Sequence, residues 1–381
     1  MTGGSAAEEA TAIKIGYLQR SEQKPAISLL DVPAANAALA GAELAVADNN
    51  TTGKFLNENF AITHVKLGQG EDPAAAIEKL AGEGISLVVT DLPAAALLKA
   101  ADAGRGRGML FLNAGALSDS LREEDCRGDV IHVAPSRAML ADGLAQYLIW
   151  KQWRNWVLVT GSHPEDKLWA DALKRAALRF GAKIADEKVF EDKGGARQTD
   201  SGIAEIQLQI PLFTQGLPDY DVLVAADESA VFADYLPYRT KAARPVAGSA
   251  GLVPTSWDPS MEQWGATQLQ NRFMKRFSRR MTALDMQAWT AVRMIGEAVS
   301  RTKSADAQAL RAYILSPAFE LAAFKGQALT VRPWDLQLRQ PILLSDGKNV
   351  VSVSPQQGFL HPVSELDTLG YDKPETKCVL K

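Results

Sequence analysis

Val157–Lys183, "VLVTGSHPEDKLWADALKRAALRFGAK", opens on an apolar run, turns through polar residues, and resumes with apolar side chains at helical spacing. A short apolar run that ends in a turn reads as a strand covered on both faces, and Trp169, Leu173, Ala176 and Phe180 recur as one face of a helix predicted over Leu168–Phe180. Strand, turn and helix make the repeating unit of a doubly wound α/β domain. Such domains present polar groups to ligands at the carboxyl ends of their strands. The turn from Gly161 to Lys167 therefore offers Ser162, His163 and Lys167, with Pro164 suited to the first helical position and the positive end of the helix dipole favouring an anion.

The same alternation runs outward from this stretch. Upstream, "IKIGYL", "FAITHVKL", "ISLVVTDL" and "MLFLNAG" read as strands, separated by helical patterns such as "AAAIEKLAGEG" and "AAALLKAADAG". Continuous apolar strands alternating with helices imply a parallel sheet covered on both faces. A second series follows, with a helix predicted over Met139–Trp153, the strands Trp156–Thr160, "YDVLVAADE" and "PVAGSAGLV", and a helix "SAVFADYLPYR". The last third predicts two long helices, Met261–Met281 and Leu284–Arg301, a shorter one near Ala305–Leu315, and strands with a hairpin turn at Asp346-Gly347.

Composition narrows the function classes. The chain has 381 residues, 46% hydrophobic and 23% charged, enough for two cores, and its formal charge of −4 opposes a nucleic-acid surface. No apolar run reaches the roughly 18 residues of a membrane span. The polar lead "MTGGSAAEEATAIKIGYLQR" is read as the start of a mature chain without its signal peptide. The four histidines lack metal-ligand spacing, "GRGRG" at Gly104–Gly108 follows a helix instead of a strand, and no nucleophile elbow or zinc-protease motif occurs. No enzyme activity, metal or required cofactor is expected.

The pieces "IKIGYLQ", "GAELAVADNN", "DVIHVAPSRAMLADGLAQYL", "WVLVTG", "PVAGSAGL" and "DMQAWTAVRMIGEAV" resemble, in this order, the periplasmic solute-binding proteins of the branched-chain amino acid type. The resemblance implies a type I binding-protein fold: two doubly wound, Rossmann-like lobes joined by three crossings, with a ligand in the cleft between them. The lobes are expected at 11–134 plus 257–330 and at 135–256 plus 331–381. "GATQLQNRF", "FKGQALTVRPWDLQLRQPILL", "PQQGFLH" and "ELDTLGYDKPE" resemble a narrower branch, associated with alcohol dehydrogenase systems that use pyrroloquinoline quinone (PQQ). That resemblance implies a periplasmic monomer that captures PQQ and hands it to an ABC transporter permease. The alternative in the same fold is a binder of an amino acid or an aromatic acid from alcohol catabolism; one of another class is a nucleotide-dependent oxidoreductase. The chain departs from amino-acid binders in having "TDLPAAAL" where they carry a Ser-rich turn, and Glu165-Asp166 where they carry Tyr-Gly. In a periplasmic chain the two cysteines, Cys126 and Cys378, are expected to form a disulfide.

Ten residues are candidates for the cleft. Arg20 follows the first strand and suits a planar carboxylate; Ser136 and Arg137 follow the hinge-like Ala134–Ser136; Asn113 and Glu228 stand at strand ends on opposite lobes. His163, Lys167 and Trp169 belong to the quoted stretch, and Arg239 lies in "LPYRTKAARP". Trp257, beyond the last strand of the second series, offers a plane for a flat heteroaromatic ligand.

Overall fold

The computed structural model describes residues 10–20, 32–193 and 200–380. Two parallel sheets dominate, one in each half of the chain. The first is built from β1 (Thr11–Gln19), β2 (Glu58–Lys66), β3 (Leu87–Asp91), β4 (Leu110–Asn113) and β5 (Val130–His132) in the order β2-β1-β3-β4-β5, with helices α1 (Leu39–Leu56), α2 (Pro73–Gly82) and α3 (Ala94–Gly104) as crossovers. Alternate residues of β1 feed two cores: Ile13, Ile15 and Tyr17 join one cluster, while Leu18 packs with Ile77, Leu80 and Leu97 of α2 and α3 on the opposite face.

The second sheet follows α4 (Arg137–Trp150). It comprises β6 (Asn155–Gly161), β7 (Lys183–Phe190), β8 (Val222–Ala226) and β9 (Val246–Gly248), ordered β7-β6-β8-β9, with α5 (Pro164–Phe180), α6 (Asp200–Phe213) and the single turn α7 (Leu236–Arg239) between strands. The chain then returns through β10 (Val253–Thr255) to α8 (Ala266–Phe277), α9 (Ala283–Thr302) and α10 (Ala307–Ile314). Residues of α9 and α10 complete the first-lobe core with β1. After the short pair β11 (Leu321–Ala322) and β12 (Ala328–Leu329), β13 (Ile342–Ser345) and β14 (Val350–Ser354) form an antiparallel sheet with β10. This is a mixed α/β architecture of two doubly wound parallel sheets.

Two predicted elements change on folding. The helix expected over "SAVFADYLPYR" shrinks to a 3-10 turn and α7, because the Asp227 carboxylate takes the amides of Val231, Phe232 and Ala233 and Ala230 turns to a φ of 53°. The helix expected from Met261 begins only at Ala266, after the left-handed Trp264 and Gly265. The strand β7 and helix α6 had no counterpart in the sequence reading. The hairpin at Asp346-Gly347 forms as expected, with Asp346 Oδ1 accepting the amides of Lys348 and Asn349.

The chain passes between the halves near Ala134, near Ser256 and near Gln340. These crossings run through a dry interior, where each backbone carbonyl needs a donor. Four buried side chains supply them. Gln337 Nε2 donates to the carbonyls of His132, Ala134 and Leu338, each at 3.1 Å, and its Oε1 accepts from Arg122 Nε at 2.9 Å. Arg122 also donates to the carbonyls of Ala116, Ser118 and Ala134. Gln340 Nε2 donates to Val133 O at 2.7 Å, and its Oε1 accepts from Lys325 Nζ at 2.5 Å, which reaches Ser256 O at 2.8 Å. One chain of hydrogen bonds thereby joins all three crossings.

The C-terminal tail adds a fourth link. Asp367 pairs with Arg332 and Arg339, and Gly370 is held by Asp142 of α4 and by Arg175 and Arg179 of α5. Beyond it, Thr376 and Lys377 bond Glu123, and Cys378 is disulfide-bonded to Cys126. The expected disulfide is present. The expected assignment of the whole 331–381 segment to the second lobe needs correction, because its last residues are tied to the segment before β5.

Two measurements probe these ties. The disulfide spans 252 residues, so chain entropy sets its contribution at about 5 kcal/mol at most, and Cys378→Ser is expected to lower unfolding free energy by up to that amount in chemical denaturation. Burial lowers the Lys325 pKa from 10.5 to about 7, so between those values the unfolded chain binds more protons than the folded one and stability rises with pH. Denaturation from pH 7 to 10 should show that rise in the wild type and a smaller one in Lys325→Met.

Candidate functional site: the strand ends facing the crossings

The carboxyl ends of both parallel sheets meet the crossings, and the polar side chains there are positioned by caps and turns. Ser136 caps α4, its Oγ accepting from Met139 N at 3.2 Å, while Asp119 Oδ1 accepts from Ala138 N at 2.9 Å. The amide of Arg137 donates to Leu117 O at 3.0 Å, fixing the start of α4 against the loop that follows β4. Arg137 then pairs bidentately with Glu228, Nε to Oε1 at 2.8 Å and Nη2 to Oε2 at 2.6 Å. Their side chains keep 10% and 18% of their exposure, so the pair is largely desolvated yet reachable. Burial works to lower the Arg137 pKa, but the Glu228 carboxylate overrides it and holds the guanidinium above its ordinary value.

The turn of the quoted stretch is tied to the same place. His163 caps α5 and its Nε2 lies 2.7 Å from Asp192 Oδ2, while its amide donates to Asp166 Oδ2 at 3.2 Å. Asp166 Oδ1 accepts both the amide and the hydroxyl of Ser229 at 2.9 Å, joining the turn after β6 to the turn after β8. Asp227 holds the loop beyond Glu228 through three amides. These anchors fix Glu228 from both sides.

In the first lobe, Asp91 ends β3 and accepts from Gln19 Nε2 at 2.9 Å. Burial raises its pKa to about 6 against the lowering by Gln19, with Asp285 adding to the rise. Gly115, in the loop after β4, packs directly against Asp91: a Cβ there would lie 2.5 Å from Asp91 Oδ1, closer than any side chain allows.

The ten sequence candidates divide. Ser136, Arg137, His163 and Glu228 stand together at the second-lobe strand ends. Lys167 is exposed on the first turn of α5, and its amide donates to His163 O at 3.3 Å. Arg20 lies beside Asp91, its amide donating to Asp91 O at 3.0 Å, but its guanidinium turns to the Glu71 carbonyl. Four placements are corrections. Asn113 is fully buried and spends its amide on Ala116 O, His132 and the amides of Gly115 and Ala116, so it shapes the loop instead of clamping a ligand. Trp169 packs in the second-lobe core and Trp257 in the first-lobe core, at 4% and 2% exposure, because each falls on the apolar face of its segment. Arg239 is exposed on α7 and bonds Gln207 of α6. Asp91, Asp166 and Arg122 were not among the candidates. Among the described residues no group of side chains has the arrangement of a metal site.

Truncating Arg137 to Met leaves Glu228 without its guanidinium, and partial exposure moderates the cost to about 1–3 kcal/mol. Arg239→Ala and Lys167→Ala are expected to leave the thermal midpoint within about 1 °C, since surface changes cost little. Differential scanning calorimetry of the three variants separates the pair from the surface cations.

Comparison with known proteins follows this geometry. Residues 13–201 match the family model described as periplasmic binding protein. No functionally curated protein matches the chain by sequence. Among solved structures, a branched-chain amino acid ABC transporter periplasmic ligand-binding protein from Burkholderia xenovorans is similar, at 16% identity and a TM-score of 0.75, over 97% of this chain and 99% of that one. A leucine-, isoleucine-, valine-, threonine- and alanine-binding protein from Brucella ovis, in a closed conformation, gives 15% identity and a TM-score of 0.67 over 98% and 100%. A solute-binding protein of an ABC transporter from R. palustris, solved with benzoate, gives 15% and 0.66 over 97% and 100%. Residues 13–201 thus resemble the periplasmic binding protein family by sequence, and over nearly its whole length the chain has the fold of type I periplasmic binding proteins.

Proposed function

We propose that this chain is the periplasmic solute-binding component of an ABC importer and that its cleft captures a free amino acid. The observation that carries the reading is the Arg137–Glu228 pair, which sets a cation and an anion side by side at the cleft edge, largely desolvated and still reachable. A zwitterion carries both charges, so it meets such an edge without leaving either side chain uncompensated. The structural neighbours from Burkholderia xenovorans and Brucella ovis, described as binders of branched-chain and other aliphatic amino acids, support the same class.

The PQQ reading asks for more. Three carboxylates need several cations, and of those nominated for it Arg239 bonds Gln207, Arg20 turns to a backbone carbonyl, Arg137 is matched by Glu228, and Lys167 stands exposed on the first turn of α5. Trp257, the plane offered for stacking, lies in the first-lobe core, and Trp169 in the second. An aromatic acid, as with the benzoate-bound neighbour, would engage Arg137 alone.

Calorimetric titration of the ligand-free protein with leucine, glutamate, phenylalanine, benzoate and PQQ decides among these. Saturable one-to-one binding of an amino acid at micromolar concentration or tighter is expected, with benzoate and PQQ at least tenfold weaker. Tight binding of PQQ or benzoate with no heat from any amino acid would overturn the reading.

A further inference from the structure

The first lobe holds a carboxylate that no cation of the described structure neutralises. Asp91 stands at the carboxyl end of β3, half-buried, with one oxygen engaged by Gln19. Among the described residues no lysine, arginine or histidine forms an ion pair with it. The groups facing it come from four directions. Tyr17 and Gln19 belong to β1, and Arg20 lends only its amide while its guanidinium reaches Glu71. Asp285 of α9 is occupied by Arg279, by Thr282 and by the amide of Ala38. The loop after β4 brings Gly115 so close that a Cβ there would lie 2.5 Å from Asp91 Oδ1.

That loop also leads to the second lobe. Gly115 touches the space of Asp91, and Leu117, two residues on, accepts the amide of Arg137 at 3.0 Å. The unpaired anion and the guanidinium are therefore set at the two ends of one short wall. Glu228 is already taken up by Arg137. A desolvated carboxylate without a cation is unfavourable unless a ligand completes it.

We infer that Asp91 is the first-lobe counter-ion for the ligand's ammonium group, so that an amino acid is held with its amine toward the first lobe and its carboxylate toward Arg137 of the second. This rests on the amino-acid reading above and sets the polarity of the ligand within it. The ammonium requires Asp91 ionised. Because burial places its pKa near 6 in the empty protein, protonation competes with binding as pH falls through that value, and affinity for an amino acid drops toward tenfold per pH unit below it.

The test titrates leucine and its deaminated analogue 4-methylpentanoate, and phenylalanine with 3-phenylpropanoate, into the wild type and Asp91→Asn from pH 5 to 8. The wild type is expected to prefer each amino acid over its analogue by tenfold or more at pH 7.5 and to lose that preference toward pH 5. Asp91→Asn is expected to bind amino acids 10- to 100-fold more weakly, with a flatter pH profile and little change for the analogues. Gly115→Ala, whose Cβ displaces the Asp91 carboxylate without removing it, should also weaken the amino acids, and a retained melting temperature certifies the fold of both variants. If the wild type binds leucine or phenylalanine and Asp91→Asn binds it equally with the same pH profile, the role of Asp91 is overturned and the amino-acid reading stands. If no amino acid binds while benzoate or PQQ does, both fall together.

Discussion

Three stretches of backbone must pass between two cores without water to satisfy them, and the buried donors at those crossings are the constraint on which the remaining structure depends. Arg122, Gln337, Gln340 and Lys325 meet it with side chains that end in multiple N–H groups. An unsatisfied carbonyl in such a place costs about 1–3 kcal/mol, so several together would consume much of a domain's stability. Arg122 shows how far the chain goes to avoid this. Burial pushes its pKa down to about 10, yet all its bonds go to carbonyl groups and a glutamine, none to a carboxylate in direct contact. The same arginine holds Ala116 and Ser118, so the donor that secures the hinge also shapes the loop that lines the first-lobe side of the cleft.

This double use explains the polarity of the site. The loop after β4 is locked by Asn113 and Arg122 through backbone bonds, leaving its own side chains, Ala114, Gly115 and Ala116, without chemistry to offer. Charge must then come from its neighbours: Asp91 on one side and Arg137, docked on Leu117, on the other. With Glu228 beside Arg137, the described edge carries more carboxylate than guanidinium. On the amino-acid reading proposed above, a site so composed would favour an ammonium group over a multiply charged anion.

Much of the fold was legible because burial on two faces leaves an unmistakable apolar run. The strands "VLVTG" and "ISLVVTD" are of this kind. Where burial is one-sided the signal fades: β7 is an edge strand with mostly half-exposed side chains, and α6 carries Pro211 within it. The site was less legible, for a different reason. Arg137 and Glu228 were found because each follows a strand or crossing, whereas their pairing is 91 residues apart and has no local trace. Asp91 was quoted only as part of a turn lacking serines; that its neighbours bring no cation is a property of segments far apart in the chain. The tryptophans misled because an aromatic near a strand end has the same composition whether it faces ligand or core.

The tail completes the mechanics. Its middle is fastened to the second lobe by the fully buried Asp142 and the two arginines of α5, its end to the first lobe by Glu123 and the disulfide. Just before these anchors Asp367 of the tail pairs with Arg332 and Arg339, which adjoin the third crossing. A strap laid along the hinge has a short lever arm, so it opposes separation or twisting of the lobes far more than rotation about the crossings. Hinge bending is thereby left as the soft motion, and Arg137, at the start of α4, stands directly after the first crossing.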